Sequence, residues 1–146
     1  MAHILIVVSP YYKDITDELL LGARSHLDVA GHTHDTINVP GAFEIPAAIH
    51  MAMHGTKSYD GYIALGCVIR GETSHYDYVC GECARGLQDL SLLHKAPIGF
   101  GVLTVENKKQ AEIRASVNGK NKGREAAEAC IQMIALKTHF GVKPRD

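Results

Sequence analysis

The chain has 146 residues, of which 15 are lysine or arginine and 16 are aspartate or glutamate, so its formal net charge is −1. A chain of this length can bury the core of one domain without disulfide bonds. It has no run of like charge, which argues against a nucleic-acid or membrane surface but leaves open a local pocket for a small anion. No apolar run reaches the length of a membrane span.

Short apolar segments predict β-strands at residues 3–9, 61–69 and 97–104, and a more polar segment predicts an edge strand at residues 32–39. Segments of helical period lie between and after them. They predict a first helix ending near Gly31, a second carrying Ile45, Ile49 and Met53, a third from about Asp77, and two more at about 108–115 and 122–139. We expect one domain over residues 1–146, because no repeat or linker interrupts this order.

Strand and helix alternate four times, which predicts an α/β fold with a four-stranded parallel sheet and helices on both faces. In such three-layer folds, ligands bind outside the carboxyl ends of the strands. The segments that follow the predicted strands, at residues 10–12, 40–44, 70–75 and 104–107, hold most of the unusual polar and aromatic residues outside helices. The sequence therefore predicts one shared site at this edge.

The cysteines admit two interpretations. The motif Cys80–Cys83 is a C-x-x-C, which can form a redox pair or half of a zinc site. Its two cysteines also continue a helical stripe made of Cys80, Cys83, Leu87 and Leu90. Neither Cys67 nor Cys130 supplies a second such motif. We therefore favour packing in the core, as free thiols in a cytoplasmic protein without a signal peptide.

The segment 71–74 follows the most apolar strand and opens a helix, so its backbone N–H groups converge where the helix dipole is positive. Its threonine and serine hydroxyls add hydrogen-bond donors. An ordinary helix cap accounts for the same residues. Three cationic residues, Arg70, Arg114 and Lys122, shift the balance toward a phosphate site.

Other strand-end residues also admit a functional and a structural interpretation. His75 can exchange protons in catalysis, or it can face solvent in the first turn of its helix. Glu44 can complement a helix start, or accept hydrogen bonds from a polyol or a ring N–H group. Tyr11 and Tyr12 can stack on a planar ring or pack in their loop. The histidines of the segment His32–His34 alternate along a strand, and we interpret them as exposed edge residues rather than metal ligands.

Taken together and in this order, these segments closely resemble lumazine synthase, the penultimate enzyme of riboflavin biosynthesis. The match is collinear from Ile4 to about Phe140. Its segments are VPGAFEIP (Val39–Pro46), ALGCVIRGETSHYDYV (Ala64–Val79), GVLTVEN (Gly101–Asn107) and NKG (Asn121–Gly123). The resemblance implies a flavodoxin-like fold and a transferase that needs no cofactor or metal. It condenses 5-amino-6-(D-ribitylamino)uracil with 3,4-dihydroxy-2-butanone 4-phosphate to give 6,7-dimethyl-8-ribityllumazine, phosphate and water.

The resemblance also implies roles for individual residues. His75 is the implied proton-transfer residue. Tyr11 would stack on the pyrimidine, the segment 42–44 would hold the ribityl chain, and the backbone of residues 67–69 would contact the uracil edge. The full set of implied substrate-binding residues is Tyr11, Ala42, Phe43, Glu44, Cys67, Val68, Ile69, Glu72, Thr73, Phe100, Arg114 and Lys122.

In the family the site lies between neighbouring subunits of a pentamer, and the residue corresponding to Phe100 reaches across that interface. This chain has Ser9-Pro10-Tyr11-Tyr12 where many members carry Gly-Arg-Phe-Asn, so it keeps an aromatic residue with different neighbours. Only Met1-Ala2 precedes the first strand, which favours a free pentamer over a sixty-subunit shell. The alternative function is a non-catalytic flavin- or lumazine-binding module, which would need neither the phosphate donors nor His75.

Overall fold

A parallel sheet forms the centre of the computed structural model, which describes residues 1–142. The strands are β1 (His3–Val8), β2 (Thr33–Asn38), β3 (Gly61–Ile69) and β4 (Ile98–Val105), in the order β2-β1-β3-β4. All three strand pairs are parallel. The predicted α/β class and four-stranded parallel sheet are therefore confirmed. Residues 143–146 of the predicted domain lie outside the described part.

Within residues 1–142, five helices surround the sheet: α1 (Lys13–Val29), α2 (Ile45–Met53), α3 (His75–His94), α4 (Lys108–Ala115) and α5 (Lys122–His139). A 3-10 turn, Ala42–Glu44, leads into α2, where Pro46 occupies the first turn that proline tolerates. The predicted bounds of α4 and α5 are confirmed, whereas α3 begins two residues before the expected Asp77. None of the described helices is long and apolar enough to cross a membrane.

The two faces of the sheet build two cores because side chains alternate along each strand. Ile4, Ile6 and Val8 of β1 pack with residues of α1, α4 and α5. Leu5 and Val7 point the other way and pack with residues of α2 and α3. Helix α3 and helix α4 therefore lie on opposite faces of the sheet.

Helix α5 approaches its neighbours closely at two glycines. A Cβ atom at Gly99 would overlap the carbonyl oxygen of Ala126, and one at Gly123 would overlap that of Leu19. Only a residue without a side chain fits at either contact. These contacts hold α5 against β4 and α1. They therefore fix the position of the start of α5, where Lys122 lies.

The cysteines follow the packing interpretation with one exception. Cys67, Cys83 and Cys130 are buried. Burial raises the pKa of Cys83 and of Cys130 to about 12, so neither is a reactive thiol. Cys80 is only half-buried and belongs to neither core. The expectation was wrong for Cys80 because it lies at the flank of the α3 stripe, beside Tyr76.

The histidines at β2 are not the exposed edge residues that the alternation predicts. His32 precedes the strand, and its Nδ1 accepts a hydrogen bond from the Ala2 amide at 2.9 Å. His34 lies 2.9 Å from an oxygen of Asp28, and its side chain is only 19% exposed. Both imidazoles therefore have protein partners. Within residues 1–142, no group of three or more His, Cys, Asp or Glu side chains is arranged to hold a metal ion.

Candidate active site

A gap opens where β1 ends before its neighbour. The last β1–β3 pair is Val8 with Leu65, whereas β3 continues to Ile69, which pairs with Val105 of β4. In a parallel strand the peptide groups of successive residues point to alternate sides. The Ser9 amide donates to Leu65 O at 2.9 Å. The main chain of Cys67 and of Ile69 therefore faces the open space beyond Ser9, which we call the strand-end notch.

Tyr11 and Tyr12 lie at the end of β1, next to this notch. The Tyr11 side chain is 76% exposed, whereas Tyr12 is half-buried against the α1 core. Their ring centroids are 4.9 Å apart and their planes meet at 80°. Burial raises the pKa of Tyr12, and the negative charges of ionised Tyr11 and Cys67 raise it further. The phenol of Tyr12 therefore lies near both residues, and Tyr11 has the accessible ring.

The segment after β2 lies beside β1, because the Val39 amide donates to Val8 O at 2.9 Å. In the 3-10 turn, Ala42 is buried while the Phe43 side chain is 54% exposed. The exposed Glu44 makes no side-chain capping bond to α2. Its carboxylate lies back over Gly41, where an added Cβ would be 3.1 Å from Oε1. Glu44 thus offers a carboxylate that the start of α2 does not use.

The turn before α3 is exposed from Gly71 through Ser74, and His75 is the first, exposed residue of the helix. The Thr73 hydroxyl accepts a hydrogen bond from the His75 amide at 3.3 Å. This bond closes a short turn ahead of α3, whereas Ser74, at the N-cap position, makes no side-chain capping bond. The interpretation of this segment as an ordinary helix cap is therefore wrong. No hydrogen bond among the described residues uses the amides of Glu72 or Thr73, so the turn also offers donors to a ligand.

Arg70 is engaged by carboxylates rather than left as a free cation. Its Nε donates to both carboxylate oxygens of Glu106, at 3.1 and 3.0 Å, and its Nη1 donates to Asp77 at 3.3 Å. The guanidinium carbon lies 4.3 Å from the centroid of the Tyr76 ring. The positive charge of Arg70, one of the three cations that favour a phosphate site in the sequence, is therefore offset by two carboxylates.

The ion pairs of Arg70 with Glu106 and Asp77 were not predicted from the sequence. A signal was available, because Arg70 and Glu106 directly follow β3 and β4, which are adjacent strands in register to their last residues. Opposite charges at neighbouring strand ends are well placed to pair. Recognising the pair required knowing that β3 and β4 are neighbours.

Three predicted site residues lie away from the notch and the turn. Arg114 is half-buried on α4, and its Nη1 donates to Gln110 O of the same helix at 3.1 Å. Lys122 begins α5 and pairs with Glu125 at 3.1 Å. Phe100, 49% exposed, lines a groove of about 350 Å³ between β4 and α3. Since α3 and α4 cover opposite faces, none of the described contacts joins Arg114 to the turn at Glu72.

The protein is a three-layer, flavodoxin-like α/β protein that carries an exposed aromatic ring, an open main-chain edge and a helix-start turn along one sheet edge. The 6,7-dimethyl-8-ribityllumazine synthase family matches residues 1–138, and the chain belongs to that family.

Curated relatives extend over almost the whole chain. A 6,7-dimethyl-8-ribityllumazine synthase of Bartonella tribocorum is 55% identical over 139 residues, which are 95% of this chain and 92% of the relative. The synthase of Sphingopyxis alaskensis is 52% identical and covers 97% of this chain and 99% of its own length. That of Agrobacterium fabrum is 51% identical, with 95% and 97% covered. The predicted family, enzyme class and riboflavin-pathway reaction are confirmed by these matches.

Proposed function

We propose that the chain carries out the family condensation at the carboxyl edge of its sheet, in sites shared between neighbouring copies of the chain. The first substrate is 5-amino-6-(D-ribitylamino)uracil and the second is 3,4-dihydroxy-2-butanone 4-phosphate. The amine of the uracil attacks the ketone and forms an imine with loss of water. Phosphate then leaves, and ring closure with loss of a second water gives 6,7-dimethyl-8-ribityllumazine. The observation that carries the proposal is the strand-end notch beside the exposed Tyr11.

The pyrimidine ring is proposed to lie between Tyr11 and the strand-end notch. A uracil ring has N–H donors and carbonyl acceptors along its edge, which the main chain of Cys67 and of Ile69 can pair. The main chain of Val68 faces β4, so Val68 contributes as part of the strand between them. Tyr11 supplies an accessible aromatic face for stacking. Cys67 contributes through its backbone, since burial raises the pKa of its thiol to about 11.

The ribityl chain is proposed to lie along the turn at Ala42, Phe43 and Glu44. The end of β2 lies beside that of β1, so this turn is adjacent to the strand-end notch. The Glu44 carboxylate accepts hydrogen bonds from ribityl hydroxyls, and it is free of any capping role. Phe43 covers the apolar carbon chain with its exposed ring.

The phosphate is proposed to bind the amides of Glu72 and Thr73, at the positive end of the α3 dipole. Because Arg70 is engaged by Glu106 and Asp77, the compensating charge is proposed to come from Arg114 on α4, with Lys122 at the start of α5 on the same face of the sheet. Arg114 lies across the sheet from α3, so it acts on the turn of a neighbouring copy. A guanidinium matches phosphate geometry with two parallel N–H bonds.

His75 is proposed to transfer protons during imine formation, phosphate loss and ring closure. It is exposed and lies two residues after Thr73, so its imidazole is beside the phosphate turn. An imidazole can both take and return a proton near neutral pH. Neither the binding of the pyrimidine nor that of the phosphate needs it.

The assembly is proposed to be a cytoplasmic pentamer in which residues 1–146 form one domain. Two features support an interface at the groove between α3 and β4. The groove exposes Phe100, and the opposite placement of Arg114 and Glu72 leaves each site incomplete in a single chain. Closed rings of identical subunits repeat such a contact head to tail.

A turnover assay with both substrates tests the activity directly, by following the lumazine product. Product formation supports the enzyme. Binding of a lumazine or flavin without turnover would favour the non-catalytic binding module instead.

The shared site is tested by mixing two variants, Arg114→Ala and His75→Ala, co-expressed with different tags. Random mixing places both wild-type residues in about a quarter of the shared sites, so activity should exceed that of either parent. If each site lay within one chain, every chain would carry one defect, and the mixture would show only the average of the two parents.

A further inference from the structure

Tyr12 is half-buried at the start of α1, beside the exposed Tyr11. Its side chain packs on the core formed by β1, α1, α4 and α5, and its carbonyl begins α1. Two amides, of Ile15 and Thr16, donate to that carbonyl at 3.1 and 3.0 Å, and the Thr16 hydroxyl donates at 3.3 Å. Thr16 is itself fully buried. Tyr12 is therefore fixed at both its main chain and its ring.

Tyr11 has no comparable anchor of its own. Its side chain is 76% exposed, and its aromatic contact among the described residues is with Tyr12, at a centroid distance of 4.9 Å and an angle of 80°. Edge-to-face contact of this kind is a favoured aromatic geometry. On the other side of Tyr11, Pro10 restricts the backbone to one range of φ. The exposed ring is thus held by a fixed ring on one side and a stiff backbone on the other.

We propose that Tyr12 is a positioning residue, whose half-buried ring holds the exposed Tyr11 ring edge-on so that Tyr11 presents one orientation to the pyrimidine substrate. This inference rests on the stacking role proposed above for Tyr11. An unsupported exposed side chain samples several rotamers, and stacking would have to select one of them. A ring that is already held in one orientation binds the substrate without this loss of conformational entropy.

The competing explanation is that Tyr12 only fills the core. The two explanations differ in what they predict for Tyr12→Leu, which keeps an apolar side chain but removes the ring. A core-filling residue should change the unfolding temperature and leave substrate discrimination alone. A positioning residue should raise the KM of the pyrimidine substrate by about 3- to 10-fold, the range expected for one aromatic pair, with kcat and the KM of the phosphate substrate nearly unchanged.

The experiment measures both KM values for Tyr12→Leu, Tyr12→Phe, Tyr11→Ala and the double variant Tyr11→Ala/Tyr12→Leu. Tyr12→Phe keeps the ring and should restore the wild-type KM. Leu20→Ala is the matched packing control, because Leu20 is a partly buried residue of the same core on α1. It should lower the unfolding temperature without changing the KM of the pyrimidine.

The double variant separates this inference from the proposal on which it rests. If Tyr12 acts through Tyr11, Tyr12→Leu should have no further effect on the pyrimidine KM once Tyr11 is alanine. Equal effects in both backgrounds, or an unchanged KM in Tyr12→Leu, would overturn the positioning role while leaving Tyr11 stacking intact. An unchanged KM in Tyr11→Ala would instead overturn the stacking role itself.

Discussion

Arg70 and Glu106 tie together the ends of β3 and β4, through an Nε that lies 3.1 and 3.0 Å from the two oxygens of the carboxylate. The same guanidinium reaches Asp77 in the first turn of α3 and lies over the Tyr76 ring. One arginine thus links two strands to the helix that follows. The turn at residues 71–74 is closed at its base by these contacts.

Replacing Arg70 by lysine should loosen this turn. Lysine keeps the charge but cannot form the two-oxygen contact or stack as a guanidinium does. Because exposed ion pairs contribute little, we expect a rise of only about 2- to 5-fold in the KM of the phosphate substrate. Arg85→Lys is the matched control, since Arg85 also pairs with two carboxylates, Glu82 and Asp89, on α3. Similar effects of the two variants would refute a specific role for Arg70, provided light scattering shows the same assembly.

Arg114→Ala should weaken the binding of the phosphate substrate far more than Arg70→Lys does. A half-buried guanidinium paired with phosphate contributes on the order of 2–3 kcal/mol, which corresponds to roughly 30- to 150-fold in affinity. The pyrimidine KM should hardly change. Arg124→Ala removes the same charge from an exposed residue of α5 that pairs with Glu128, and it should be close to wild type. Equal weakening of both substrates in Arg114→Ala would contradict the phosphate role.

The fold could be predicted from the sequence because its signals are local. The apolar run of β3 and the period of α5 each specify an element without knowledge of its neighbours. Burial was harder to predict where a residue lies at the flank of a helical stripe. Cys80 and Cys83 share one motif, yet only Cys83 reaches the core. Side chains three residues apart on a helix point about 60° apart, and this angle places Cys80 at the flank of the buried stripe.

The candidate site was predictable only in part, because some of its side chains pair with residues that are distant in the sequence. The turn at residues 71–74 is visible as a strand end that opens a helix. The engagement of Arg70 by Glu106 depends on which strands are adjacent, and that of His34 by Asp28 depends on how α1 returns to β2. Such pairings follow from tertiary structure and leave no periodic pattern.

Cys83→Ser should destabilise the protein while Cys80→Ser should not. At position 83 the serine hydroxyl would be buried without a hydrogen-bond partner, which should lower the free energy of unfolding by about 1–3 kcal/mol. At half-buried position 80 we expect a change within about 0.5 kcal/mol. Chemical unfolding of the two variants tests this difference. Turnover that falls on adding a chelator and returns with zinc would contradict the packing role of Cys83.

The lowered pKa of Asp35 predicts that the protein loses stability in acid. Hydrogen bonds from Lys57, then Tyr59 and His3, lower the pKa of Asp35 to about 2. An unfolded aspartate has a pKa of about 3.9, so this carboxylate favours folding above about pH 4 and loses that contribution as the pH falls towards 2. The free energy of unfolding, measured from pH 5 to pH 2, should fall less steeply with decreasing pH for Asp35→Asn than for wild type. Asp17→Asn, at an exposed pair with Lys13, is the control and should keep the wild-type slope.

His75→Ala tests the proton-transfer role without touching either proposed binding site. The pyrimidine and phosphate contacts lie on other residues, so orientation of the two substrates should survive the loss of the imidazole. General acid–base help is typically about 10²–10⁴-fold, but an amine and a ketone condense slowly without a catalyst, so the low end applies. We therefore expect kcat to fall by roughly tenfold to a hundredfold with both KM values near wild type. Steady-state kinetics on the purified variant measure this directly. Wild-type turnover would remove His75 from the mechanism, whereas a selective rise in the KM of the phosphate substrate would reassign it to phosphate binding.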